Sequence, residues 1–366
     1  MKTAYYVGIM SGTSLDGVDA VLADFSSSSP SLLYTFYLPY DRDLRGRLLD
    51  LHNSGNDELH RAAMLGNELA RHYAEAVVHL LEKNGIKPQN VAAIGCHGQT
   101  VRHCPQTERG YTIQLCSPAL LVELTGITVV ADFRSRDIAA GGQGAPLVPA
   151  FHQVLFSDPQ THRVIVNIGG ISNLTSLAPN EQVTGFDCGP GNIMMDAWCL
   201  RHTGKTYDEN GSWAASGEVI PALLEKLQML QFFSLPPPKS ISREVFNPAW
   251  LEACSSGDEK PADVQATLLQ LTVLGIAESV FAYFPRAAEI YLCGGGARNT
   301  TLVARLRMAL PGKKVELTDS LGVDADWLEA YAFAWLAKQA MLGVPGSLPT
   351  VTGAKGARLI GAIYPV

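Results

Sequence analysis

The chain has 366 residues, with 28 lysines and arginines against 35 aspartates and glutamates, and a formal charge of −7. This acidic balance argues against a nucleic-acid-binding protein, which would neutralise phosphates with basic residues. Hydrophobic residues make up 47% of the chain and charged residues 17%, a composition that excludes long disordered or coiled-coil stretches. Since this length lies beyond the usual size of one core, we expect two lobes with a cleft between them.

Neither a membrane span nor a secretion signal is predicted. No run approaches the roughly 18 uncharged apolar residues of a membrane-spanning helix. The apolar run of residues 4–10 after Lys2 is too short for a signal peptide and lacks a small-residue cleavage site, so we interpret it as the first strand. The seven cysteines are odd in number and form no Cys-x-x-Cys pair, which favours reduced thiols in a cytoplasmic protein.

The first half of the chain begins with a predicted β-hairpin. Strand-forming residues at 5–10 and 18–25 flank a turn of small and polar residues. Apolar residues at helical spacing predict a helix over 59–83. Short buried strands are predicted at 91–95 and 127–132. Both end in polar residues, as expected where ligands bind at the carboxyl ends of strands.

The second half repeats this pattern. A Gly- and Pro-rich stretch at 139–149 indicates a crossing between lobes, and a strand, a glycine turn and a second strand follow from residue 164. The other predicted elements are helices over 223–230, 262–284, 297–310 and 326–341 and a strand over 290–293. The tail, 351–364, is expected to pack on the first lobe. We therefore predict an N-terminal lobe of residues 1–140 and 346–366, and a C-terminal lobe of residues 141–345.

The turn of the first hairpin, residues 11–17, has the sequence Ser-Gly-Thr-Ser-Leu-Asp-Gly. Its small residues and hydroxyls can cradle a phosphate, and its carboxylate can lie near a metal ion. An ordinary polar hairpin is the alternative. A simple hairpin needs only a few residues in its turn, so the length of this one favours a ligand.

Two other segments resemble nucleotide motifs without completing them. Residues 203–206 end like a P-loop, but Cys199 stands at the position of the required upstream glycine. Residues 294–299 follow a predicted strand, yet Asn299 stands where a dinucleotide fingerprint has its third glycine. The turn at 294–299 is equally compatible with a close backbone approach to a nucleotide and with an ordinary strand-to-helix turn.

Three further residues are candidates for chemistry. Asp187 lies in a stretch, 185–192, that is too rich in glycine and proline for the interior of a helix, and a rigid loop facing a cleft suits a general base. An Asx turn or a helix cap is the alternative for Asp187. His97 and Arg134 follow the ends of two predicted strands, and the arginine fork suits a substrate carboxylate. A zinc site is disfavoured, because the chain has no His-Glu-x-x-His and its cysteines lack ligand spacing.

Taken together, these segments resemble the anhydro-N-acetylmuramic acid kinases, sugar kinases of the fold superfamily of hexokinase and actin. The resemblance covers nearly the whole chain, and its most specific parts are residues 10–19, 97–100, 131–146, 167–173, 186–192 and 294–299. It implies a two-lobed α/β fold of the actin/hexokinase-like (ribonuclease H-like) kind, with the active site in a cleft between the lobes. It also implies a cytoplasmic homodimer that uses ATP and Mg²⁺ in cell-wall recycling.

The resemblance also implies a reaction and the residues for it. The 1,6-anhydro bond of the sugar is hydrolysed and the freed O6 is phosphorylated, which gives N-acetylmuramic acid 6-phosphate. Asp187 matches the catalytic base. The positions that match the sugar site are His97, Gln99, Arg134 and Glu329, of which Arg134 would pair with the lactyl carboxylate. The positions that match the ATP site are Gly12, Thr13, Ser14, Leu15, Asp16, Gly17, Val18, Asp19, Asn167, Gly169, Gly170, Gly294, Gly295 and Gly296. No protein ligand of the magnesium is predicted.

Two departures from the family pattern and two other functions remain open. Cys188 stands where the family has a threonine, and Cys116-Ser117 stands where it has Gly-Asp. One alternative function is a kinase for another amino sugar, since fold analogy alone does not fix the substrate. The other is a nucleotide-switched ATPase of the actin or chaperone type, for which the sequence offers no peptide-binding domain or polymer interface.

Overall fold

The computed structural model describes residues 5–12, 15–27, 29–105, 109–241 and 245–366. The strands within these residues are β1 Tyr5–Ser11, β2 Gly17–Asp24, β3 Ser31–Pro39, β4 Val91–Cys104, β5 Tyr111–Leu115, β6 Val129–Ala131, β7 Arg163–Ile168, β8 Ile171–Leu177, β9 Thr184–Pro190, β10 Glu289–Cys293, β11 Lys314–Leu317 and β12 Ala362–Tyr364. The α-helices within them are α1 Arg42–Asp50, α2 Glu58–Lys83, α3 Pro118–Thr125, α4 Ser135–Ala139, α5 Pro149–Phe156, α6 Ile193–Thr203, α7 Ser212–Ala215, α8 Pro221–Gln228, α9 Gln231–Ser234, α10 Pro248–Cys254, α11 Pro261–Tyr283, α12 Thr300–Ala309, α13 Leu328–Met341 and α14 Pro349–Thr352. The chain divides into two compact units, Met1–Leu155 with Trp327–Val366, and Phe156–Asp326.

The first unit is built on a mixed sheet of strand order β12-β6-β4-β1-β2-β3, with β5 paired to β4. β1 pairs antiparallel with β2 and parallel with β4, so the predicted first hairpin is confirmed. Helix α2 contributes Leu65, Leu69, Tyr73 and Val77 to the core beside this sheet, as their helical spacing predicts. The tail returns to the sheet, where β12 pairs antiparallel with β6, which confirms its expected packing on the first lobe.

The second unit repeats the strand order of the first. Its sheet has the order β11-β10-β7-β8-β9, in which β7, β8 and β9 are antiparallel neighbours and β10 and β11 add in parallel. The first sheet contains the matching series β6-β4-β1-β2-β3. The predicted repeat of strand, glycine turn and strand is therefore confirmed, and it extends to five strands of each sheet. The α/β fold class is confirmed as well.

The division between the units differs from the predicted boundaries at 140/141 and 345/346. Those boundaries assign α13 to the C-terminal lobe, whereas the structure assigns it to the first unit, where it packs on β1 and β4. Two glycines permit this packing. A Cβ on Gly8 would collide with the carbonyl oxygen of Ala330, and a Cβ on Gly95 would collide with that of Phe333. The helix backbone lies directly on the sheet, a contact that local periodicity does not reveal.

Helix α11 forms the centre of the second unit. It is the one helix among the described residues with the length and composition of a membrane span, although the sequence contains no long uncharged apolar run that predicts one. However, 78% of the 18-residue apolar stretch of this helix is buried inside the protein. That burial is typical of the core helix of a globular unit, whose faces are all covered.

Candidate active site

The turn of the first hairpin is braced by its surroundings in the first unit. Gly12 follows β1, Gly17 and Asp19 belong to β2, and Thr13 and Ser14 lie outside the described residues. The carbonyl oxygen of Asp16 accepts hydrogen bonds of 2.9 Å from the Tyr37 hydroxyl and 2.9 Å from the Tyr40 N–H. The turn is thus fixed from the side of β3.

The side chains of the turn divide into buried and exposed ones. Leu15 and Val18 are 1% and 0% exposed and belong to the hydrophobic core, so any ligand contact of theirs would be through the backbone. Asp16 is exposed and Asp19 is half-buried. A carboxylate that remains exposed in such a turn is accessible to a hydrated cation.

Gln99 connects the hairpin turn to β4. The prediction of a strand that ends at residue 95 is wrong, because β4 continues to Cys104 through pairing with β5. His97 and Gln99 therefore lie within a strand. Gln99 is fully buried, and its Nε2 donates a hydrogen bond of 3.0 Å to the carbonyl oxygen of Gly12. The side chain holds the first glycine of the turn in place.

Arg134 and His97 form a contact in the same unit. The Nε and one Nη of Arg134 donate to Nε2 of His97 at 3.1 and 2.8 Å, and another Nη donates to the carbonyl oxygen of Gly144 at 2.7 Å. Since arginine can only donate, His97 is neutral and its proton is on Nδ1. Burial, and then the charge of Arg134, hold the pKa of His97 well below its usual range. The neutral imidazole orients the guanidinium fork.

A buried carboxylate fixes the loop that holds Arg134. Asp137 is fully buried on α4, and its Oδ2 accepts a hydrogen bond of 2.9 Å from the Gly144 N–H. The Thr352 hydroxyl of α14 donates a hydrogen bond of 2.8 Å to the other carboxylate oxygen of Asp137.

Glu329 is half-buried in the first turn of α13, the helix whose Phe333 ring centroid lies 4.7 Å from that of His97. All four residues predicted for the sugar site belong to this unit.

Two glycine turns meet in the second unit. Gly169 and Gly170 follow β7, and residues 294–296 follow β10, and these strands are parallel neighbours whose carboxyl ends lie side by side. Gly294 has a φ of +79°, which favours glycine. A Cβ at Gly294 would collide with Oδ1 of Asn167, the last residue but one of β7. The backbone at this edge of the sheet thus carries no side chain at these glycines, which a close approach of a ligand to the backbone requires.

Asn192 is a residue of this edge that the prediction left out of the site. Its backbone N–H donates 2.8 Å to the Gly169 carbonyl oxygen, and its Nδ2 donates 3.2 Å to that of Ile168. A Cβ placed on Gly296 would lie 3.0 Å from Oδ1 of Asn192. The side chain thus lies between the two glycine turns. The Gly-Pro-Gly-Asn motif of residues 189–192 was the signal that pointed to it.

Asp187 occupies an edge strand. It lies on β9 opposite Asn173 and not in a loop as predicted, because the glycines and proline of 185–190 are tolerated at the edge of a sheet. Its side chain is buried, and Oδ2 accepts a hydrogen bond of 2.9 Å from the Ile241 N–H. Its own N–H donates 3.1 Å to the carbonyl oxygen of Lys239. These long-range bonds hold the carboxylate in one place.

A cluster of charges flanks the glycine turn at 294–296. Arg298 donates to Asp326, Asp319 and Asp324 at 2.9, 3.0 and 2.6 Å. The arginine thereby ties the turn to residues 319–326. Among the described residues, including this cluster, no group of three or more His, Cys, Asp or Glu side chains is arranged to hold a metal ion.

The two sheets have matching strand order, and they carry two glycine turns at strand ends, a braced hairpin turn and one fixed carboxylate. These features are typical of a phosphotransferase of the actin and hexokinase fold class. The sequence profile described as "Anhydro-N-acetylmuramic acid kinase" matches residues 4–366. The chain belongs to this family, and it is a kinase that acts on a small-molecule sugar.

Curated relatives carry the same description over the full length. The chain is 71% identical to the "Anhydro-N-acetylmuramic acid kinase" of Nitrosospira multiformis, covering 100% of both chains, and 64% identical to that of Nitrosomonas europaea, covering 99% of both. Among solved structures, a "Reductive activator for corrinoid,iron-sulfur protein" is similar at a TM-score of 0.50 and 11% identity. That likeness covers 93% of this chain and 62% of the other, and it concerns the fold alone.

Proposed function

We propose that this kinase uses ATP to open the 1,6-anhydro ring of 1,6-anhydro-N-acetylmuramic acid and to phosphorylate O6, giving N-acetylmuramic acid 6-phosphate for cell-wall recycling. The observation that carries the proposal is the placement of Asp187. A single carboxylate, buried on β9 and held by the Ile241 N–H, suits a reaction that needs one base and otherwise positioning. The family to which the chain belongs supports the choice of sugar.

One carboxylate can serve both bond changes. Asp187 takes a proton from water as the water oxygen bonds to the anomeric carbon, and the bond from that carbon to O6 breaks. The electron pair left on O6 then attacks the γ-phosphorus, and the bond from that phosphorus to the ADP oxygen breaks. The proton remains on Asp187 until it is released to solvent. The leaving group of the hydrolysis is thus the nucleophile of the transfer, so no second base is required.

We assign ATP to the glycine turns and the hairpin. The first hairpin turn, 12–19, would bind phosphates through its backbone N–H groups. Residues 167–170 and 294–296 would hold the rest of the nucleotide, since side-chain-free backbone allows a close approach. The exposed Asp16 and half-buried Asp19 fit the oxygen chemistry of Mg²⁺, which keeps several waters and uses few protein ligands. When bound, the cation would neutralise charge on the phosphates.

We assign the sugar to His97, Gln99, Arg134 and Glu329. Arg134 is oriented by His97 and Gly144, and a guanidinium held in this way can pair with the lactyl carboxylate that distinguishes muramic acid. Gln99 braces Gly12, so its contribution to sugar binding would accompany a structural one. We further infer that the protein is cytoplasmic and forms a homodimer; sedimentation of the purified protein would test the dimer.

The experiment that tests the substrate is a comparison of ADP release with a panel of sugars. We expect turnover with 1,6-anhydro-N-acetylmuramic acid and little with N-acetylglucosamine or its 1,6-anhydro form, which lack the lactyl carboxylate. Equal turnover of all three would favour a kinase of broader amino-sugar specificity. ATP hydrolysis that no sugar stimulates would overturn the proposal.

A further inference from the structure

Lys239 is a buried lysine beside the proposed base. It is 7% exposed, and its ammonium donates to the carbonyl oxygens of Phe232 at 3.1 Å and Phe233 at 3.5 Å. The ammonium also lies 4.5 Å from the ring centroid of Phe232 and 5.8 Å from that of Phe186. Lysines are almost never this buried without partners, and here carbonyl oxygens and ring faces offset the loss of water.

The Lys239 ammonium closes the loop that runs from α9 to residue 241, because it bonds back to α9. Residues 236–238 are three consecutive prolines, which have no N–H groups and cannot anchor the loop by backbone donation. The anchoring donors come instead from the Lys239 side chain, which reaches back to the last turn of α9. The Lys239 side chain thus helps to fix the conformation of residues 239–241.

The closed loop supplies two backbone hydrogen bonds to Asp187. The carbonyl oxygen of Lys239 accepts from the Asp187 N–H at 3.1 Å, and the Ile241 N–H donates to Oδ2 at 2.9 Å. The side chain that closes the loop and the backbone that holds the carboxylate are therefore parts of the same short segment. A shift of that segment would move the carboxylate.

We propose that Lys239 is a positioning residue for Asp187: its ammonium fixes the loop whose backbone holds the carboxylate. The proposal rests on the proposed role of Asp187 as the base. Lys239 itself touches neither ATP nor sugar in this account. Its effect is to hold the group that receives the proton.

The charges around the ammonium agree with this role. Burial lowers the pKa of Lys239, and electrostatic interactions with Cys188 and Asp187 raise it. These two groups on β9 are the titratable groups that act on it among the described residues. Because the interaction is mutual, loss of the ammonium removes a positive charge that favours the carboxylate form of Asp187.

The test is steady-state kinetics of Lys239→Met, which keeps the unbranched shape and most of the length of the side chain and removes its charge and donors. We expect kcat to fall about 10- to 100-fold through misplacement of the base, while KM for ATP changes less than about 2-fold. The acidic limb of the kcat profile should move to higher pH by about 0.5 to 1 unit. Lys239→Gln, which keeps a donor without the charge, is measured in parallel and should show the same shift in the acidic limb.

Lys313→Met is the matched control. Lys313 also donates to two carbonyl oxygens, those of Pro285 at 3.0 Å and Ala287 at 2.8 Å, and lies 5.4 Å from the Phe281 ring centroid. It has no bond to the segment that holds Asp187. We expect this variant to lose stability, as Lys239→Met does, but to keep the wild-type kcat and pH profile.

Three outcomes decide the question. A lower kcat with a displaced acidic limb in the Lys239 variants, absent from Lys313→Met, supports the proposal. Wild-type kcat and pH profile in a folded Lys239→Met or Lys239→Gln overturns it, provided that Asp187→Asn is inactive. Full activity of Asp187→Asn would instead overturn the proposed role of Asp187, and with it the basis of this inference.

Discussion

At the residue scale, the side chain of Arg134 is held by hydrogen-bond partners that lie outside its own helix turn. His97 is its partner from β4, and Gly144 is its partner from the loop that Asp137 fixes. The same holds for Asp187, which is bonded by Ile241. Each side chain is oriented before any ligand is bound, and such pre-organisation reduces what binding must supply.

Arg134→Ala should change the preference between sugars. Loss of a charged hydrogen-bond partner for the lactyl carboxylate is expected to raise KM for 1,6-anhydro-N-acetylmuramic acid about 10- to 100-fold. The 1,6-anhydro form of N-acetylglucosamine, which lacks that carboxylate, should be affected less. KM values for both sugars measure the effect. Arg136→Ala, an exposed neighbour on α4, is the control, and an unchanged preference in Arg134→Ala would contradict the assignment.

The sequence singles out the candidate site residues but not the residues that hold them in place. Asp187 stands out because a carboxylate among glycines and a proline suggests a fixed conformation. The segment that fixes it, 239–241, lies more than 50 residues further along the chain, and no local pattern connects the two. Likewise, a buried lysine such as Lys239 reads in sequence as a surface residue, since the rings that surround it come from other elements.

At the scale of elements, α13 carries Glu329 to the first sheet through contact of helix backbone with strand backbone. Gly8 of β1 faces Ala330, and Gly95 of β4 faces Phe333. A side chain at either glycine would push the helix away from the sheet, and with it Glu329. The position of one proposed sugar-binding residue thus depends on two glycines that carry no chemistry.

Gly8→Ala should therefore destabilise the protein. Overpacking between α13 and β1 is expected to lower the free energy of unfolding by at least about 2 kcal/mol. Gly46→Ala is the matched control, because a Cβ there meets nothing within 4 Å and α1 should gain about 0.5 to 1 kcal/mol. Denaturant titration measures both. Equal stability of the two variants would contradict the packing.

The turn at 294–299 should depend on its arginine clamp. Arg298→Lys loses the fork that reaches Asp319, Asp324 and Asp326, so we expect KM for ATP to rise about 3- to 10-fold with little change in kcat. Arg286→Lys alters an exposed pair with Glu181 and should leave KM for ATP unchanged. The same KM for ATP in both variants would show that the clamp does not support nucleotide binding.

The two longest periodic helices were predictable with their ends, whereas the start of the helix that follows β10 was not. The helices predicted over 59–83 and 262–284 match α2 and α11 within one residue at each end. The helix predicted over 297–310 is instead a 3₁₀ turn, Gly295–Arg298, followed by α12. Asn299 separates them because its side chain caps α12 by accepting from the Leu302 N–H at 3.0 Å.

At the scale of the whole molecule, two histidines, the half-buried His103 and the buried His152, make the free energy of unfolding depend on acid pH. Burial, and then the charge of Arg134, lower the pKa of His103 to about 4, and burial lowers the pKa of His152 to about 3. The unfolded chain takes up these protons below about pH 6.5, whereas the folded protein does not. Folding is therefore disfavoured as the pH falls from about 6.5 towards 4, and both residues belong to the first unit.

His103→Asn should make the protein less sensitive to acid. The amide can replace the 3.1 Å bond between Nδ1 and the Thr112 hydroxyl without binding a proton. The slope of unfolding free energy against pH between 6.5 and 4.5 should decrease by up to about 1.4 kcal/mol per pH unit. His60→Asn, at an exposed position on α2, should leave the slope unchanged. The measurement is chemical denaturation across this pH range, and an unchanged slope in His103→Asn would contradict the prediction.

The central claim, that Asp187 couples ring opening to phosphoryl transfer, is tested most directly by mass spectrometry of the products formed in oxygen-18 water. Wild-type protein, ATP, Mg²⁺ and 1,6-anhydro-N-acetylmuramic acid should yield a 6-phosphate with one solvent oxygen at the anomeric carbon, and Asp187→Asn should yield none. A wild-type protein that consumes ATP but leaves this sugar intact, or an Asp187→Asn variant that forms the labelled product at the wild-type rate, would contradict the account.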